Sequence, residues 1–152
     1  NDPKGLLPMR RYLPGILVFA IGCGSASSVK TVPVSGTLLK DGKPFTYSAQ
    51  NLPPGDSGFR LEFLKQEEGG KEGELFAADF KPADGTFTVK APDRNGLPVG
   101  KYKVIVEKGA RGLPDEFKNS FSKSKTPLIL AVPDATGVKV EIDLDKKSAT
   151  AK

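Results

Sequence analysis

The chain has 152 residues, with 23 lysines and arginines against 18 aspartates and glutamates and a formal net charge of +5. It contains no histidine and one cysteine, which excludes Ser-His-Asp and Cys-His catalysis, histidine metal sites and an internal disulfide. Charges of both signs are interspersed, so the basic excess gives no nucleic-acid footprint, which needs clustered basic residues.

In chain order the first feature is Met9-Arg10-Arg11, then a short apolar run and small residues around Cys23, the three-part layout of a secretory signal. The apolar core, residues 16–21, is too short to span a bilayer, which takes about 20 apolar residues. Ala20-Ile21-Gly22-Cys23 resembles a bacterial lipobox. That resemblance implies diacylglyceryl transfer to the Cys23 sulfur, cleavage before Cys23, and acylation of the new amino group by a palmitate-class chain. Two chains anchor stably, at about 0.8 kcal/mol per buried methylene. Gly24, where an aspartate retains lipoproteins at the inner membrane, favours the outer membrane if the organism has one.

The expected organisation is residues 1–22 as an extension to Met9 plus signal peptide, 23–31 as lipidated cysteine and flexible tether, 32–145 as the folded domain, and 146–152 as a polar tail. Lys4, Arg10, Arg11 and Asp2 leave with the signal, so 20 basic and 17 acidic residues remain, a balance of +3.

Within the domain, Val32, Val34 and Leu38 alternate with polar residues and predict a first strand, closed by the turn Lys40-Asp41-Gly42-Lys43-Pro44. Residues 50–58 read as loop. Phe59, Leu61 and Phe63 predict a half-buried strand, and residues 66–73 a charged, glycine-rich loop. Residues 75–80 predict a strand, Pro82-Ala83-Asp84-Gly85 a turn, and Phe87 with Val89 the inner face of the next strand. Asp93-Arg94-Asn95-Gly96 reads as a further turn. In residues 99–107, Tyr102, Val104 and Val106 point one way and the lysines the other. Residues 113–126 form a long excursion in which Phe117 and Phe121, four apart, predict one helical turn begun by Asp115 and Glu116. Residues 128–132 predict a strand, and Val138, Val140, Ile142 and Leu144 the last one. Seven or so short strands with turns every 8–12 residues predict an all-β fold, a seven-stranded antiparallel β-sandwich.

Three segments together carry a resemblance: Val34-Ser35-Gly36-Thr37 with Asp41-Gly42-Lys43-Pro44, then Asp84-Gly85-Thr86-Phe87, then Gly100-Lys101-Tyr102-Lys103-Val104-Ile105-Val106. The set resembles carboxypeptidase-regulatory-like, transthyretin-like β-sandwich modules. With Leu113-Pro114-Asp115-Glu116-Phe117, Lys125-Thr126-Pro127-Leu128 and Val140-Glu141-Ile142-Asp143-Leu144, it is similar to small lipoproteins of planctomycete bacteria, over about residues 32–145. It departs from their pattern at residues 45–58, where a polar, proline-rich stretch delays the second strand. The resemblance implies a fold and an extracytoplasmic, membrane-anchored location but no chemistry. Hydroxyisourate hydrolases, on a transthyretin-like scaffold, need histidines and a terminal Tyr-Arg-Gly-Ser that this chain lacks.

Candidate chemistry is sparse. Ser120-Phe121-Ser122-Lys123 and Ser122-Lys123-Ser124-Lys125 fit Ser-x-x-Lys, but in a polar stretch without the buried lysine a dyad needs. Asp79, Asp84 and Asp93 match no calcium loop, and Asp84-Gly85 and Asp93-Arg94-Asn95-Gly96 read as turn chemistry. Glu67, Glu68, Glu72 and Glu74 read as a solvated loop, and Tyr102 as a core residue rather than a sugar platform. Phe117 and Phe121 are the candidate partner contacts; exposed, they would form an apolar patch, and buried, they would pin the excursion to the domain. The chain is therefore expected to be non-catalytic, without metal or cofactor. It would contact the membrane through Cys23 and dock an envelope protein, as an interaction or structural module. The alternative is a carbohydrate-binding module for envelope polysaccharide, and more remotely a histidine-independent hydrolase; no nucleic acid is expected as partner.

Overall fold

A computed structural model describes residues 30–48, 58–91, 94–109 and 114–152. The signal segment, with Ala20, Ile21, Gly22 and Cys23, lies outside the described residues, as do Asp93 and Leu113. The fold is all-β. Its strands are β1 (Thr31–Val32), β2 (Val34–Lys40), β3 (Lys43–Pro44), β4 (Phe59–Gln66), β5 (Glu72–Lys81), β6 (Thr86–Ala91), β7 (Arg94–Asn95), β8 (Leu97–Pro98), β9 (Gly100–Lys108), β10 (Ile129–Val132), β11 (Val138–Asp143) and β12 (Ser148–Ala151). Among the described residues no helix is long and apolar enough to cross a membrane.

One sheet carries the architecture, in the order β10-β9-β4-β5-β6-β2-β11-β12, with β3 on β2, β7 on β6, and a separate β1-β8 ladder. β5 joins its two halves. Its first part pairs with β4 from Glu72 to Ala77, and its last four residues, Ala78 to Lys81, pair with β6. The sheet doubles over there, and its two end strands, β10 and β12, come to lie against each other. Both halves contribute to one apolar core: Val34, Leu38, Phe87, Val140 and Ile142 from one, Leu61, Phe63, Tyr102, Val104 and Leu130 from the other. Alternation explains these assignments, because a strand buries every second side chain.

Two expectations are corrected. The described residues form twelve strands rather than seven, because short ladders at β1, β3, β7 and β8 flank the longer ones. The sheet is not wholly antiparallel: β11 runs parallel to β2, from Val138 beside Val34 to Asp143 beside Leu39. Gly36 lies in this pairing, opposite Phe87 on β6. A side chain there would meet the Val140 carbonyl and approach within 2.7 Å of the Phe87 ring, so the position accommodates glycine alone without repacking.

Three further segments differ from expectation. Residues 146–152 are not a loose tail, since Ser148–Ala151 forms β12 on β11. The charged stretch 66–73 tightens into a turn at Glu68–Gly70, where Gly69 and Gly70 take φ of 75° and 77°, with β5 already begun at Glu72. The excursion forms no helical turn at Phe117–Phe121. Lys118 and Asn119 take φ of 54° and 59°, which end any right-handed helix. The Asp115 carboxylate fixes that conformation, accepting 2.7 Å bonds from the backbone N–H groups of both Asn119 and Lys108.

The strands define two ends. One end, the entry end, lies at the start of β2, where the Pro33 carbonyl accepts from the Val138 N–H. β2 then runs seven residues to Lys40, roughly 20 Å at the usual rise. The distal end gathers the end of β2, the start of β4, and the ends of β5 and β9, because Phe59 pairs with Lys108 and Lys81 with Thr86.

Candidate functional site

At the distal end Asp41 and Gly42 take φ of 53° and 70°, the left-handed pair a two-residue hairpin requires. The turn returns the chain through β3, and residues 45–48 thread between the end of β2 and the Pro82–Gly85 turn. The Phe45 N–H donates to the Leu38 carbonyl at 2.8 Å, and the Tyr47 N–H to the Pro82 carbonyl at 3.1 Å. Gly85, with φ of 70°, lies so close that a side chain would sit 2.9 Å from the Phe45 backbone.

This threading collects aromatic rings. Phe45 and Phe117 are buried, while Tyr47, Phe59 and Phe80 are half-buried and pack on the core from its open end. Phe59 and Phe80 have centroids 4.3 Å apart, and Tyr47 lies 5.8 Å from Phe59. Tyr47 and Phe80 are parallel within 3° at 6.2 Å. The Lys108 ammonium stands 5.4 Å from the Phe45 centroid and 5.1 Å from that of Tyr47, and donates to Glu116 at 2.8 Å. The Lys40 ammonium stands 5.9 Å from Phe45 and 5.5 Å from Phe117. Cations this close to ring faces are attracted by the ring quadrupole. Burial pushes the Tyr47 phenol above its ordinary value.

The residues singled out from sequence fall elsewhere or serve the fold. Phe117 is 9% exposed and Phe121 6%, edge to face at 5.9 Å; both belong to the core and offer no free apolar patch. They pin the excursion, whose backbone follows β9: the Glu116 N–H donates to Lys108, and the Val106 N–H to the Phe121 carbonyl. Ser122 donates its hydroxyl to the Asn119 carbonyl at 2.9 Å, and Lys123 pairs with Glu72 at 2.6 Å, contacts that help hold the excursion. Tyr102 is fully buried and donates to the Pro98 carbonyl at 2.6 Å.

The carboxylates have structural duties. Asp84 accepts from the Thr86 hydroxyl and N–H at 2.6 and 2.9 Å, bonds that hold its carboxyl below the usual range. Asp143 accepts from the Asp145 and Lys146 N–H groups and pairs with the Lys146 ammonium at 2.8 Å. Glu62 and Glu107 both pair with Arg60. Glu67 pairs with Lys65. Among the described residues, no three histidine, cysteine, aspartate or glutamate side chains gather in a way that could hold a metal ion.

At the entry end an open hollow of about 480 Å³ is lined by Lys30, Thr31, Pro33, Asp134, Ala135 and Thr136, and spanned by a Lys30–Asp134 ion pair. The distal cluster was not legible as a unit, because its five rings come from four separate segments. The available signal was local: Phe45, Tyr47 and Phe59 flank a proline-rich loop that separates them in sequence. No family model, no curated protein and no solved structure matches the chain.

Proposed function

We propose that this chain is a non-catalytic module of the cell envelope, anchored to a membrane by lipid on Cys23 and presenting its domain to an envelope partner. We read the doubled sheet as a transthyretin-like β-sandwich of the carboxypeptidase-regulatory-like kind. In an organism with two membranes, Gly24 favours the outer one.

The opposition of the two ends carries this reading. β2 starts at Val34, eleven residues after Cys23, and the aromatic and lysine cluster lies at its far end. A short polar tether at Cys23 would leave that end pointing away from the membrane. Phe117 and Phe121 take no part in the contact, since both rings are in the core.

Detergent-phase partition tests the anchor. The wild-type chain, expressed in a bacterium with lipoprotein processing, should enter the detergent phase. Cys23→Ala should stay in the aqueous phase and retain its signal segment. Identical partition of the two would overturn the reading.

A further inference from the structure

We propose that Asp41 is a site of spontaneous isoaspartate formation, where the Gly42 amide nitrogen closes on the Asp41 side-chain carboxyl. The inference goes beyond the anchor and display reading and does not rest on it.

The chain has two Asp-Gly pairs, Asp41-Gly42 and Asp84-Gly85. Such a pair is open to ring closure because glycine has no side chain to shield its nitrogen or to hinder the main-chain rotation that brings it to the carboxyl. The nitrogen bonds to the side-chain carboxyl carbon, its proton passes to solvent, and the carboxyl hydroxyl leaves as water, giving a five-membered succinimide. Water then reopens the ring at either carbonyl. Attack at the former main-chain carbonyl routes the backbone through the side chain, one methylene longer.

The fold treats the two pairs in opposite ways. The Asp84 carboxylate is held by the Thr86 hydroxyl and N–H at 2.6 and 2.9 Å, and the Gly85 N–H donates to the Lys81 carbonyl at 2.9 Å. Gly85 is also buried and pressed on Phe45, where an added side chain would lie 2.9 Å from backbone. Asp41 and Gly42 are exposed at the hairpin tip. A side chain built on Gly42 would meet nothing within 4 Å, so the peptide there has room to rotate. Among the described residues neither the Asp41 carboxylate nor the Gly42 N–H has a partner. The bond that does fix the turn, from the Asp41 N–H to the Asp145 carboxylate, leaves both reacting groups free.

The test ages the full, folded chain in warm, mildly acidic buffer and, in parallel, the same chain unfolded in denaturant. Isoaspartate is located by electron-transfer fragmentation of peptides, which separates it from aspartate, and its total is read by enzymatic methylation of isoaspartyl carboxyls. In the folded chain it should accumulate at residue 41 at least about tenfold faster than at residue 84, a gap that positioning of the reacting groups readily produces. In the unfolded chain the two sites should react at similar rates, which assigns the difference to the fold. Asp41→Glu, an exposed exchange that disfavours the five-membered ring, should remove the signal at 41 and leave 84 unchanged. No isoaspartate at 41 in the folded chain, equal rates at 41 and 84 there, or the same gap in the unfolded chain would each overturn the proposal. None of these outcomes bears on the anchor, which partition of Cys23→Ala tests separately.

Discussion

Among the described residues, Asp143 is the buried charged side chain, 3% exposed, and it organises the reversal between β11 and β12. The Lys146 ammonium, followed by the Lys146 N–H, holds its carboxyl below the ordinary 3.8. A folded value below the unfolded one stabilises fully above the ordinary value, and the contribution is lost as pH falls through the folded value. Asp84 acts in the same sense, while Glu62, raised above 4.5 chiefly by burial, acts in the opposite one: its cost at neutral pH fades as pH falls through its folded value. Denaturant titrations of Asp143→Asn should show lower stability than wild type at neutral pH and a shallower loss below about pH 4. An acid limb as steep as that of wild type would assign the effect to other carboxylates. None of this was readable from Asp143 itself, which alternation places on the outer, polar side of a strand. Its burial arises because the turn folds back over it.

At the scale of elements, alternation was a sound guide where one face is buried and a poor one where both are. Tyr102, Val104 and Val106 face the core as expected, but Ile105 between them is only 2% exposed, and so is Leu64 beside Phe63. Continuous apolar runs mark strands covered on both sides. The Asp41-Gly42 turn was legible because its φ values need those residue types. The reversal at Lys118 and Asn119 was not, because no glycine announces it and the Asp115 bonds that hold it come from packing. β2 and β11 offer the clearest test of an element contact. Gly36→Ala places a methyl group against the Val140 carbonyl and the Phe87 ring. It should cost about 1–3 kcal/mol, as overpacking does, measured by chemical denaturation. Stability within about 0.5 kcal/mol of wild type, the range of an inert surface change, would show that the parallel pairing gives way easily.

For the whole molecule, the all-β class and most long strands were legible from periodicity and turn residues. The joining of β2 to β11 and the assembly of the distal cluster were not, because each brings together segments far apart in sequence. That separation governs how the domain comes into being. Val34 pairs with Val138 and Leu39 with Asp143, so the strand that begins the main sheet finds one neighbour only near the end of the chain. A polypeptide made amino end first would hold β2 with one flank unfilled until β11 followed. Folds dominated by such distant pairings close in milliseconds to seconds rather than microseconds. Stopped-flow refolding is therefore expected in that slow range, as a single phase in which ordering of the amino-terminal strands coincides with arrival of the carboxyl-terminal ones.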